Sequence, residues 1–177
     1  MTASRPPLLA GVDGCPAGWI ACLIDPSGTH PPEIRLFARF ADLLAEAPAI
    51  VAVDMPIGLP ERIGPGGRGP ERLVRPLLGE RQSSVFSIPS RAAVYAGEGL
   101  DERAAYSAAC AAALATSEPP KKVSKQGFHL FPKIRELDRL LTPDLATRVV
   151  ESHPEVAFTM LNGGHPMALP KKVKNRP

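Results

Sequence analysis

The stretch that most limits how this chain can fold is Ala49–Pro60, AIVAVDMPIGLP. Ile50–Val53 is a short apolar run without polar alternation, the pattern of a strand buried on both faces in the middle of a sheet. Pro56 lacks the N–H that a ladder needs, and a proline biases the residue before it away from helix. The strand therefore stops at Asp54, which leaves a carboxylate at its C-terminal end. Open α/β sheets bind their ligands at that end. The alternative is that Asp54 only caps the turn that follows.

Two other short apolar runs end the same way. Leu8–Asp13 stops at Asp13 before a turn over Gly14–Gly18, and Arg148–Glu151 stops at Glu151. After the first run, Trp19–Asp25 reads as the returning strand of a hairpin. Glu33–Phe40 alternates well enough for a third, half-exposed strand, and Asp42–Ala47 reads as a short helix. The order β-β-β-α-β lets the first and fourth strands lie side by side and parallel, with the hairpin to one side. Neighbouring strands are about 4.8 Å apart, so Asp13 and Asp54 are expected at one rim. Two carboxylates at about 5 Å, in an effective dielectric of about 20, repel by about 3 kcal/mol. Either one of them holds a proton or a cation neutralises the pair. Oxygen ligands with no His or Cys beside them suit magnesium or manganese.

Residues 56–90 are rich in Gly, Pro and Arg and read as a loop insertion, with a brief helix between Gly69-Pro70 and Gly79. Near its end Arg81, Ser83, Ser84 and Arg91 offer guanidinium, hydroxyl and backbone donors suited to phosphate oxygens. Otherwise these serines satisfy their own backbone. Leu100–Thr116 is an alanine-rich helix whose small side chains suit close packing. Pro132–Leu141 is amphipathic, with Ile134, Leu137 and Leu141 inward and Glu136 and Asp138 read as solvated partners of Arg135 and Arg139. Pro154 suits the first turn of a helix that ends at Gly163-Gly164. That places His153 and Glu155 at its start, where the helix dipole alone favours Glu155. His153 fits a ligand, a proton shuttle or an N-cap. Lys121, Lys122 and Lys125 form a basic patch, and Lys171, Lys172, Lys174 and Arg176 a basic tail free of acids.

A length of 177 residues predicts one domain over 1–177. A net charge of +3 is too small to require a nucleic-acid partner by itself. Three scattered cysteines, Cys15, Cys22 and Cys110, exclude a disulfide framework or a zinc site and fit reduced thiols in a cytoplasmic protein. No apolar run approaches the roughly 20 residues that span a bilayer, and Asp13 interrupts any signal-peptide segment. No membrane partner is expected. The oligomeric state stays open, a homodimer included.

Five motifs follow in order: Val12–Trp19 (VDGCPAGW), Asp54–Pro60 (DMPIGLP), Leu78–Phe86 (LGERQSSVF) with Pro89 and Arg91, Pro132–Asp138 (PKIRELD) and Glu151–Glu155 (ESHPE). Through them the chain resembles the bacterial and archaeal family catalogued as domain of unknown function 429, described as predicted nucleases of the ribonuclease H-like fold. The resemblance implies an α/β fold with a mixed five-stranded sheet, an initial antiparallel β-β-β unit, and helices on both faces. It implies a metal-dependent nuclease acting on nucleic acid with two Mg2+ or Mn2+ ions. Asp13, Asp54, Glu151, His153 and Glu155 would be the catalytic residues, with Asp13 bridging the two ions and Asp54 and one of Glu151 or Glu155 completing the ligands. Arg81, Ser83, Ser84, Arg91 and Lys133 would hold substrate phosphates. The family pattern continues past Lys171-Lys172 into an arginine-bearing helix, so the basic tail reads as truncated. Two other readings are a phosphotransferase or nucleotide hydrolase related to the actin-like ATPases, and a catalytically silent module that binds nucleic acid or protein.

Overall fold

The computed structural model describes residues 7–168. Strands β1 (Leu9–Cys15), β2 (Gly18–Ile24) and β3 (Glu33–Phe37) form an antiparallel meander, as expected from the hairpin signal. Helix α1 (Phe40–Leu44) leads into β4 (Ile50–Asp54), which lies parallel to β1. Five helices follow: α2 (Gly69–Leu78), α3 (Arg91–Tyr95), α4 (Glu102–Thr116), α5 (Lys125–His129) and α6 (Phe131–Leu140). Strand β5 (Val149–Glu151) then pairs parallel with β4, and α7 (Pro154–Leu161) closes the described chain. The sheet order is β3-β2-β1-β4-β5, a mixed, open, five-stranded α/β sheet.

The hairpin depends on Gly18. Its φ is +129°, and a Cβ there would sit 2.2 Å from the Phe37 carbonyl oxygen, so only glycine lets β2 leave the turn beside β3. Next to it Trp19 is fully buried and meets Phe40 edge-on at 4.9 Å. Trp19, Ala21, Val12, Val51, Val53 and Val149 form the sheet's half of the core, and Phe40, Leu43, Ala109, Phe131, Ile134 and Leu137 supply the helical half. The alanine-rich α4 packs closely, as its composition predicts. A Cβ on Gly97 would come within 2.5 Å of the Ala105 Cα.

The other face of the sheet corrects two expectations. Ile34 and Leu36 are each 63% exposed, Ile50 is 50% exposed and Val150 43%. In-register pairing of Ile20 with Leu36, Cys22 with Ile34, Leu9 with Ile50 and Ala52 with Val150 joins them into one apolar surface. Among the described residues the helical layer therefore covers one face, where helices on both were expected. For the same reason Ile50–Val53 is not buried on both sides: Val51 and Val53 are fully buried, while Ile50 faces solvent.

Glu136 and Asp138 also differ from expectation. Glu136 accepts from Trp19 Nε1 at 3.0 Å and from the Phe40 backbone N–H at 2.6 Å. Asp138 accepts from the Arg91 guanidinium and from the Tyr95 hydroxyl at 2.8 Å. Both acids tie α6 to other elements, while Arg135 and Arg139 pair with Glu98. The basic tail, 171–176, lies outside the described residues. Among those described, no helix is long and apolar enough to cross a membrane, and the three cysteines are free.

Candidate functional site

Parallel pairing of β1 with β4 puts Asp13 directly opposite Asp54 in register. Register partners share a face of the sheet, so both carboxylates emerge on one side at the C-terminal end of their strands. Pro56 then turns the chain away, and Gly14 keeps the rim open. A Cβ on Gly14 would stand 3.3 Å from the Met55 side chain and 3.6 Å from that of Lys133. The Lys133 ammonium sits 4.8 Å from the centre of the Trp19 ring, a favourable contact for a cation.

Above this rim lies a cleft of about 650 Å³ that brings together Asp13, Asp54, Glu151, His153, Glu155, Ser84 and Lys133. These residues come from five separate stretches of sequence. Three of the expected phosphate-binding residues do not line it. Arg81 instead donates to Glu155 at 2.9 Å, Arg91 is taken by Asp138, and Ser83 opens onto a separate groove.

The acids are not equivalent. Glu151 pairs in register with Val53, one residue before Asp54, so alternation sends its side chain to the opposite face from the aspartates. There it is held by Arg68, through Nη2 at 2.8 Å and Nη1 at 3.1 Å, and by the Ile57 backbone N–H at 2.9 Å. Arg68 is 2% exposed and also donates to Glu71, which is 1% exposed, at 2.8 Å. Burial works to lower the pKa of Arg68, but its bonds to Glu151 and then Glu71 outweigh that and leave it raised. Glu155 is buried and neutralised by Arg81. Among the described residues no group of three or more His, Cys, Asp or Glu side chains could hold a metal ion. Asp13, Asp54 and one of Glu151 or Glu155, the expected ligands, are not gathered into such a group. Glu151 is on the wrong face, and both glutamates are bonded to arginine.

His153 occupies the N-cap position of α7 but makes no side-chain cap bond. Its Nε2 lies 3.3 Å from the Ser84 carbonyl oxygen. A carbonyl only accepts, so in this contact Nε2 is the donor. Nδ1 is buried without a hydrogen-bond partner among the described residues, and so is the Ser84 Oγ. Two orphaned polar atoms on residues lining one cleft are unusual in a folded protein.

Sequence reasoning missed Arg68, Phe86 and His129 as residues of the cleft. Arg68 is one of several arginines in the 56–90 insertion. Its one local signal is the glutamate three residues later, just after Gly69-Pro70, which forms a capping arrangement in the structure. Phe86, 40% exposed, and His129 line the cleft without a sequence pattern to single them out. A family model described as "Protein of unknown function (DUF429)" matches residues 11–176. No curated protein and no solved structure matches the chain.

Proposed function

Because the chain belongs to the DUF429 family, proteins of unknown function, we propose from its cleft that it hydrolyses phosphodiester bonds in nucleic acid on a sheet of the ribonuclease H-like kind. The observation that carries this reading is the in-register pair Asp13 and Asp54 at the C-terminal rim of two central parallel strands. The sheet order β3-β2-β1-β4-β5, antiparallel first and parallel after, agrees with it.

The donor set fits one hard divalent cation. Asp13 and Asp54 offer two carboxylates, and Mg2+ is commonly held by one or two carboxylates with substrate oxygens and water completing its shell. When bound there, such a cation supplies Lewis-acid stabilisation of charge on the phosphoryl oxygens. The remaining work falls to side chains around the rim. Lys133 offers its ammonium to a non-bridging phosphate oxygen. His153, bonded through Nε2 to the Ser84 carbonyl, positions the 84–86 segment beside the rim. Arg68 and Glu151 hold the β5 end and the 57–58 backbone as the floor of the cleft.

The test is Mg2+- or Mn2+-dependent cleavage of labelled single-stranded, duplex, hybrid and branched nucleic acids. Asp54→Asn keeps the side-chain size and should remove most of the cleavage with an unchanged thermal melt. If the wild type cuts no substrate, or Asp54→Asn cuts equally well, a silent binding module replaces the hydrolase.

A further inference from the structure

A second groove, of about 330 Å³, lies back to back with the cleft, and Val85 and Phe86 line both. Its size is at the lower end of small-molecule sites. The floor is apolar, with Ile63, Ile88 and Val123, and Lys121 and Lys122 are its exposed cations. No carboxylate lines it. Among the described residues neither lysine pairs with an acid, whereas Lys125 is engaged by Glu102 at 3.3 Å and by the Tyr106 ring at 4.2 Å. The expected basic patch is therefore split: two of its three charges stay available at this groove.

The ridge between groove and cleft is pre-arranged. Arg75 donates to the Val85 carbonyl at 3.3 Å and to the Ser87 Oγ at 2.8 Å, and the Ile88 N–H is fixed on buried Glu71 at 3.0 Å. Phe86 stands on that ridge with its ring 40% exposed. An exposed aromatic on a braced backbone, beside an apolar slot with cations at hand, is how proteins hold unpaired bases, stacking on the ring and leaving the phosphates to lysine. A duplex keeps its base faces stacked inside and presents only phosphates, sugars and base edges, which need no apolar slot beside an aromatic ring.

We infer that this groove is a nucleotide subsite. A single strand crosses the ridge at Phe86, seats one base in the slot over Ile63, Ile88 and Val123, and contacts Lys121 and Lys122 through its phosphates. The inference rests on the hydrolase reading for the neighbouring phosphate to lie in the cleft, and it names that enzyme's substrate as single-stranded.

Fluorescence anisotropy with a labelled oligothymidylate and with a blunt duplex of equal length tests this, using wild type, Phe86→Ala and the double variant Lys121→Ser/Lys122→Ser. All three positions are exposed, and thermal melts check the fold. The single strand should bind at least about tenfold tighter than the duplex, and Phe86→Ala should weaken it about tenfold, the effect of losing one stacking platform. The double lysine variant should bind more weakly and lower the slope of log affinity against log salt by about 1.4. Equal binding of strand and duplex, or an unchanged salt slope in the lysine variant, overturns the subsite. Turnover of bis-p-nitrophenyl phosphate, compared in wild type and Asp54→Asn, reports on hydrolysis separately. Turnover with groove-independent strand binding removes the subsite and leaves the hydrolase. Groove-dependent binding with no turnover does the reverse.

Discussion

Replacing Glu71 by alanine asks whether charge holds the floor of the cleft. The buried carboxylate accepts from Arg68 Nε at 2.8 Å, the Ile88 N–H at 3.0 Å, the Arg68 N–H at 3.3 Å and Arg75 Nη2 at 3.3 Å. Arg68 keeps Glu151 as a counter-charge after the change, so its guanidinium is not left isolated. What is lost is the acceptor for Arg68 Nε and for the Ile88 N–H, and each buried unsatisfied donor costs about 1–3 kcal/mol. Together they span about 2–6 kcal/mol, and the usual cost of breaking a buried pair from one side narrows this to about 3–5 kcal/mol. At this chain length each kcal/mol moves Tm by about 2–4 °C, so Glu71→Ala should melt about 6–20 °C below wild type. Glu71→Gln retains an acceptor oxygen and the shape, and should lose no more than about half as much. Differential scanning calorimetry measures both, and hydrogen exchange at the Ile88 amide, whose acceptor is Glu71, should accelerate in the alanine variant. A Glu71→Ala protein melting within about 2 °C of wild type would refute the reasoning.

Three further outcomes follow from other parts of the molecule. The Asp25 carboxyl is pulled down to about 2 by the Ser27 hydroxyl first and then by His30; a depressed folded value means its stabilising contribution is complete above the ordinary 3.8 and is lost as pH falls from there towards 2. In Ser27→Ala, NMR titration should find that carboxyl closer to the ordinary value, and an unchanged titration would contradict the assignment. Gly18→Ala should lower the urea-derived stability by about 2 kcal/mol or more, because its Cβ meets backbone carbonyls that cannot step aside. Ile34→Lys and Leu36→Lys should each cost less than about 0.5 kcal/mol, against about 2–5 kcal/mol for Leu43→Ala in the core; losses of equal size would mean that the open sheet face is covered in solution.

What the sequence determined by itself is whatever neighbours along the chain decide. A proline two residues after Asp54 stops β4 there, a glycine turn returns β1 into β2, and the β-β-β-α-β order leaves β1 and β4 adjacent. The meeting of Asp13 and Asp54 at one rim follows from those local facts, because both strands end there, and the structure adds their exact register. The resemblance of five motifs carried the family. The second helical layer and the two-sided burial of β4 were misread for one reason: an apolar residue looks the same in sequence whether or not a layer covers it. Ile50 and Val51 are chemically alike, yet one is half exposed and the other fully buried.

Only the tertiary structure decided the partners of the charges. Arg68 and Glu151 are 83 residues apart, Arg81 and Glu155 74, Arg91 and Asp138 47, and the Phe40 N–H and Glu136 96. A carboxylate bonds to whichever donor the fold delivers, and nearby arginines such as Arg135 and Arg139 had no prior claim. Side-chain parity decided the rest. Glu151 ends its strand as Asp13 and Asp54 end theirs, but its register against Val53 turns it to the other face of the sheet. One residue of register separates a third acid at the cation site from a structural anchor for Arg68, and register between strands whose paired residues lie 98 apart, such as Val53 and Glu151, is set by packing, which no local pattern records.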